Sequence, residues 1–310
     1  MLLRDNTAVK DFPQLQWDEA AEHDCRMLVR LAVAEDLERQ QDWTTLALVP
    51  AEAVGKAAVV AREAGVVAGL KAAALAVGEY DQQLTFTPVV SDGAAVQRGD
   101  TLAMLEGPAR SMLTAERVLL NILSRLSGVA TLTRQYVDAI AGTKAKIYDT
   151  RKTTPGWRRL EKLAVLAGGG FNHRLNLASA VLIKDNHLAW GTGTFTPADA
   201  VRAARKFLEQ VPEQPEGGWL VEVEVDTLDQ LREVLPAGPD IVLLDNMSLD
   251  TLRAAVELRD REAPTVSLEA SGGVNLRTIR GIAETGVDRI SVGALTHQAT
   301  WLDIALDWAS

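Results

Sequence analysis

The chain has 310 residues, 47% of them apolar and 24% charged, with a formal net charge of −10. That balance excludes a disordered or fibrous chain and supplies a core large enough for one α/β domain with an appendage, or for two domains. The acidic balance argues against general binding to nucleic acid or to an anionic membrane. A single cysteine, Cys25, excludes a disulfide within the chain and points to a reducing compartment.

No apolar run lies between a basic head and a small-residue cleavage site at the start of the chain, so no signal peptide is expected. No apolar run reaches the roughly 18 residues of a membrane span, and a cytoplasmic protein is the expectation. Residues 18–39 place Ala21, Cys25, Leu28, Val29 and Ala32 among many charges, the spacing of an amphipathic helix. Lys56–Arg62 reads as a strand, and Gly65–Gly69 turns into an alanine-rich helix over 70–78. Leu84–Val90 and Leu102–Leu105 are further strands, separated by turn chemistry at Ser91-Asp92-Gly93 and Arg98-Gly99-Asp100. The first third is therefore a small α+β unit. Pro108 precedes a long helical stretch over 110–141, in which Gly128 offers a break point.

From residue 145 the rhythm changes. Apolar runs at Lys146–Thr150, Ala180–Lys184, Trp219–Val225, Ile241–Asp245, Val266–Ser271 and Arg289–Gly293 alternate with helical patterns near 157–167, 197–211, 227–235, 248–260 and 275–285. Such βα repetition predicts a parallel sheet. With no GxGxxG after any strand, a barrel or partial barrel is favoured over an open dinucleotide-binding sheet. A terminal helix is expected over 296–308, with Trp301 and Trp308.

In a parallel barrel, chemistry gathers where strands end. Those positions hold Thr150, Arg151 and Lys152; Lys184, Asp185 and His187; Glu222 and Glu224; Asp245; Ser271-Gly272-Gly273; and Val292-Gly293-Ala294. Between the first two strands lies Gly168-Gly169-Gly170-Phe171-Asn172-His173-Arg174. Residues 144–187 carry nine cationic side chains against three acidic ones, a local +6 in an acidic chain. Such a pocket suits a small polyanion, with arginine for bidentate capture and lysine as a point charge. Lys146, Lys162, Arg158 and Arg159 read as solvated flank charges. The glycine loops after the last two strands occupy the usual phosphate position of a barrel. Glu224 and Asp245 offer hard oxygen ligands of the kind Mg²⁺ takes. His23 reads as a surface residue, whereas His173, His187 and His297 all fall in the loops just named. Residues alone leave open a barrel lyase using Lys184 as a Schiff base, and a non-catalytic phosphate-sensing barrel.

The segments ERVLLNILSRLSGVAT (116–131), DTRKTTPGWRRLEKLAV (149–165), GGGFNHR (168–174), LIKDNH (182–187), VEVEV (221–225), LLDN (243–246), LEASGGV (268–274) and GVDRISVGALTH (286–297) closely resemble the quinolinate phosphoribosyltransferases. The chain departs from the family pattern at Trp157, Asn176 and Ser179. The resemblance implies an α/β fold: an N-terminal α+β sandwich-like domain over 1–127, rejoined by a C-terminal helix at 296–310, and an open parallel α/β barrel over 128–295 that holds the catalytic site. It implies transfer of a phosphoribosyl group from phosphoribosyl pyrophosphate to quinolinate with decarboxylation, giving nicotinate mononucleotide. It further implies a homodimer with shared active sites, in which Arg117 reaches the neighbouring subunit's site. Arg151, His173, Arg174 and Lys184 would line the dicarboxylate pocket beside Thr150. Lys152, Glu224 and Asp245 would hold phosphoribosyl pyrophosphate and Mg²⁺, with the Ser271–Gly273 and Val292–Ala294 loops on its phosphates and His297 nearby. Lys152, Lys184, Glu224 and Asp245 are the expected catalytic group. A relative acting on nicotinate without decarboxylation is the nearest alternative within the same fold.

Overall fold

The structure, a computed structural model, describes residues 10–38, 40–190, 195–215 and 217–308. The leader reading for residues 1–9 and the last two residues of the expected terminal helix, 309–310, lie outside the described residues. Helix α1 (Glu19–Leu37) begins where the Asp18 carboxylate accepts the Ala21 N–H, and α2 (Trp43–Leu48) begins the same way at Asp42. There follow β1 (Val54–Ala61), β2 (Gly65–Val66), α3 (Leu70–Tyr80), β3 (Thr85–Pro88), β4 (Ala95–Val96), β5 (Thr101–Pro108) and α4 (Ala109–Ala139). The βα series comprises β6 (Lys146–Tyr148), α5 (Arg158–Ala167), β7 (Val181–Ile183), α6 (Asp185–Ala189), α7 (Pro197–Leu208), β8 (Val221–Val225) and α8 (Leu228–Val234). It continues through β9 (Ile241–Asp245), α9 (Leu249–Glu262), β10 (Ser267–Ser271), α10 (Ile279–Ala283) and β11 (Arg289–Ser291), and the chain closes with α11 (Ala294–His297) and β12 (Ile304–Trp308).

These elements gather into two compact units. One takes the described parts of Met1–Gln14, Tyr136–Arg151 and Phe171–Gly293; the other takes those of Leu15–Gln135, Lys152–Gly170 and Ala294–Ser310. A single cut between 127 and 128 does not describe this grouping. Residues 10–14 join the parallel sheet's unit, and 152–170 join the unit of α4.

The second unit is built on an antiparallel sheet in the order β12-β1-β5-β3, beside the small pair β2-β4. Its core includes Leu102 and Leu105 of β5 and Met112, Leu119 and Leu123 of α4. Here the expected terminal helix is corrected. Residues 304–308 form a strand, paired antiparallel with β1 from Ala57↔Trp308 to Ala61↔Ile304. The open edge of β1 needs partners for its N–H and C=O groups, and that demand outweighs local preference. Gly128 does not break α4, which runs unbroken past it. A Cβ there would lie 2.1 Å from the Thr300 carbonyl oxygen, so the glycine admits the passing chain at close range. Lys162 is also corrected: it is fully buried on α5, next to a fully buried Glu161 whose Oε1 is 2.6 Å from Arg125 Nη2. Half-buried Arg125 on α4 supplies the charge that Glu161 meets inside this unit.

The first unit carries the six-stranded parallel sheet, in the order β6-β11-β10-β9-β8-β7. Strands such as β9, with Ile241 to Leu244 all buried, are the near-continuous apolar runs expected of a sheet covered on both faces. Helices α7 to α10 return the chain between successive strands. Phe12 is buried with Ala180, Leu220 and Ile241, which lie just before or at the starts of β7, β8 and β9. The segment at 10–14 therefore closes the sheet's N-terminal end.

Candidate active site

Strand order arranges the predicted residues along one rim. From β6 to β7 the carboxyl ends present Thr150-Arg151, Val292-Gly293, Ser271-Gly272-Gly273, Asp245, Glu224 and Lys184. Register confirms the neighbours: Ser271 lies opposite Asp245, and Glu224 opposite Leu243. Gly272 has φ +89°, and a Cβ there would fall 2.3 Å from Asn246 Oδ1, so only glycine fits this turn. The Val292 N–H donates to the Tyr148 carbonyl at 2.9 Å and so belongs to the sheet.

A cavity of about 600 Å³ opens beside β7. Its cationic wall is Arg151, Arg174 and Lys184 with His187, and its apolar wall comes from β7 and α7. Arg174 is buried to 8% exposure. Burial first, and then the Arg151 guanidinium, push its pKa below the usual arginine value. Among the described residues its side chain donates to the Ala180 carbonyl at 3.3 Å and has no carboxylate within ion-pair distance. Two guanidiniums facing one cavity call for an anion. Lys184 pairs with Glu224, and its N–H donates to His187 Nδ1 at 2.9 Å, the cap that starts α6. The departures Asn176 and Ser179 bond each other in one turn: the Asn176 N–H donates to Ser179 Oγ at 3.2 Å.

His173 takes a different place from the expected one. It is 6% exposed and lies off the cavity wall, drawn in by two acids on β8 and β10. Its Nε2 is 3.0 Å from Glu222 Oε2 and 3.4 Å from Glu269 Oε1. Burial opposes a charge on the ring, but the two carboxylates prevail and push its pKa up to about 9. The Arg174 N–H donates to Nδ1 at 2.8 Å. The two demands compete, and this geometry is that of the ring protonated on Nε2. Burial would raise Glu269, yet His173 and Arg289 bring its pKa down to about 2. Arg289 Nε donates to Glu269 Oε2 at 2.9 Å, and its Nη1 to Asp11 Oδ1 at 2.6 Å. Fully buried Asp149 accepts the His173 N–H at 2.9 Å and the Asn172 side-chain amide at 2.7 Å, fixing the turn into Arg174.

Glu224 and Asp245 end neighbouring strands as half-buried carboxylates. Asn246 Nδ2 donates to Asp245 Oδ2 at 2.8 Å and orients it. This donor set fits Mg²⁺, which takes one or two protein carboxylates and completes its shell with water and phosphate. His173, Glu222 and Glu269 also lie close enough for a metal, but His173 Nε2 already faces both carboxylates and Arg289 pairs with Glu269. Arg117, Lys152, Ala294 and His297 belong to the second unit. Arg117 is exposed on α4, His297 is exposed on α11, and the Lys152 carbonyl accepts the Thr296 hydroxyl at 2.6 Å. Sequence reasoning missed Asp11, Phe12, Gln14 and Arg289. A charged residue opening an otherwise buried strand was the one available sign, and it pointed to Arg289 alone.

Two family models match: quinolinate phosphoribosyl transferase, N-terminal domain, over residues 42–127, and the C-terminal domain over residues 129–307. The chain is 46% identical to a nicotinate-nucleotide pyrophosphorylase (carboxylating) of Mycobacterium leprae, over 91% of this chain and 96% of that one. It is 38% identical to a mitochondrial quinolinate phosphoribosyltransferase (decarboxylating) of Nicotiana tabacum, over 92% of this chain and 82% of that one. Among solved structures, the nicotinate-nucleotide pyrophosphorylase of Francisella tularensis superposes with a TM-score of 0.86 at 36% identity, covering 96% of this chain and all of that one.

Proposed function

Because the chain belongs to the quinolinate phosphoribosyltransferase family, we propose that it transfers the phosphoribosyl group of phosphoribosyl pyrophosphate to quinolinate and releases carbon dioxide, the step that forms nicotinate mononucleotide for NAD synthesis. The observation that carries this reading is the pairing of Arg151 and Arg174 in one cavity with Lys184, a cation set suited to two adjacent carboxylates.

In this reading the dicarboxylate sits against Arg151, Arg174 and Lys184, which orient its ring nitrogen toward the ribose. The nitrogen forms a bond to the anomeric carbon as the bond to pyrophosphate breaks. The electron pair left when the 2-carboxylate departs as carbon dioxide stays on the ring carbon, where the adjacent pyridinium charge stabilises it, and a proton then bonds to that carbon. No side-chain nucleophile is needed. Glu224 and Asp245 would hold Mg²⁺, which would supply positive charge beside the pyrophosphate group. The Ser271–Gly273 turn would offer backbone N–H groups to phosphate.

A homodimer belongs to the same proposal. Helices α1 and α2 expose Met27, Leu31, Trp43 and Leu48, the kind of surface a second copy covers. A cytoplasmic location is supported by the sparing use of cysteine, a single buried Cys25. The test is incubation with phosphoribosyl pyrophosphate, Mg²⁺ and either quinolinate or nicotinate, with nucleotide and carbon dioxide identified. Ready use of nicotinate with no use of quinolinate defeats the proposal.

A further inference from the structure

We infer that Asp11, Phe12 and Gln14 form a strap that positions Arg174 and thereby sets the cavity's affinity for an adjacent dicarboxylate. The inference rests on the site reading above. The strap lies outside both family matches, which begin at residue 42, and none of its three residues lines the cavity.

The strap grips the segment Asn172–Arg174 in three ways. The Asn172 N–H donates to Gln14 Oε1 at 2.7 Å, and Gln14 Nε2 donates back to the Asn172 carbonyl at 3.2 Å. Phe12, 3% exposed, lays its ring against the His173 imidazole with centroids 4.3 Å apart. Asp11 acts one step further out. Its Oδ1 accepts from Arg289 and its Oδ2 from the Tyr148 hydroxyl, both at 2.6 Å. Arg289 lies 3.7 Å over the Tyr148 ring and donates to Glu269, whose other oxygen is 3.4 Å from His173.

These routes converge on one peptide. His173 Nδ1 accepts the Arg174 N–H, and the Ala180 carbonyl that takes the Arg174 guanidinium belongs to a residue packed with Phe12. The guanidinium of Arg151, on the same cavity wall, disfavours the charge of Arg174. Holding it there before the substrate arrives requires a fixed backbone, and the strap supplies one. Asp11, Phe12 and Gln14 are positioning residues.

The test uses the full chain with Gln14→Ala, Phe12→Ala and Phe12→Leu, and Arg174→Ala as a control. Each folded variant is assayed for the KM of both substrates. Calorimetry measures binding of quinolinate and of benzene-1,2-dicarboxylate, which lacks the ring nitrogen and does not react. Gln14→Ala and Phe12→Ala are expected to raise the quinolinate KM and the dicarboxylate Kd about five- to tenfold. The KM for phosphoribosyl pyrophosphate should stay within about twofold. Phe12→Leu, which refills the space, should recover most of the loss. Unchanged dicarboxylate affinity in Gln14→Ala, or equal rises in both KM values, overturns the strap while Arg174→Ala still abolishes binding. Should Arg174→Ala bind the dicarboxylate normally, the site reading itself falls and takes the strap with it.

Discussion

The guanidinium of Arg151 disfavours the charge of Arg174 across the cavity they share. An anion bound between the two guanidiniums would offset that opposition. Arg151→Ala should weaken quinolinate binding by about 2–5 kcal/mol. Thermal melts of Arg151→Ala with and without quinolinate check it. A melting shift with quinolinate as large as that of the unaltered protein contradicts the cavity's assignment.

Lys184 and Glu224 form an ion pair at the rim, with Lys184 side-chain exposure of 41% against 12% for Glu224. Replacing Lys184 by Met releases the Glu224 carboxylate. Binding of Mn²⁺, followed by electron paramagnetic resonance without substrates, should tighten by about 1 kcal/mol as the competing cation is lost. Turnover should fall by about two orders of magnitude or more because a carboxylate partner is gone. Unaltered Mn²⁺ affinity in both Lys184→Met and Glu224→Gln argues that the metal is held elsewhere.

Glu269 is fully buried, and His173 and Arg289 bring its pKa down to about 2 from an ordinary 4.5. A depressed carboxylate stabilises the fold above its ordinary pKa, and that contribution disappears as pH falls from 4.5 to about 2. Glu269→Gln should cost about 3–5 kcal/mol near neutrality by removing one of the two carboxylates paired with buried Arg289. The gap between variant and parent should narrow steadily below about pH 4.5. Urea unfolding across pH 3–7 measures it, and a gap independent of pH contradicts the buried ionised pair.

Arg117 is exposed on α4 and lies within the ERVLLN segment. If each site borrows the neighbour's Arg117, the homodimers Arg117→Ala and Lys184→Ala are both nearly inactive. Mixed dimers have one site with both lesions and one with neither, so up to about half of their sites regain activity. Subunit exchange followed by activity assay tests this. Proven exchange without recovery places Arg117 outside the partner's site.

The parallel sheet was legible because its strands are buried on both faces. Runs such as VEVEV and IVLLD stand out against the helices between them. The rim cations were legible because charge at strand ends needs a reason. Other features depended on partners far along the chain. Five residues, IALDW, read as a helix end until β1 claims them as a strand. Lys162 follows the polar face of its helix by period, yet it is buried beside Glu161, whose partner Arg125 sits on another helix. Phe12 and Gln14 lie in a short stretch without periodicity, DFPQLQ, so nothing local announces that they reach Asn172 and His173.

The pairing of β12 with β1 also sets an order of events during synthesis. Residues 57–61 leave the ribosome early, and their partner strand at 304–308 emerges only after the whole parallel sheet. Throughout translation, the backbone groups of Ala57 to Ala61 on that edge remain open to water or to another nascent chain. A chain interrupted before Ile304 keeps its parallel strands but leaves this apolar edge uncovered, so premature termination should yield aggregates rather than a shortened enzyme.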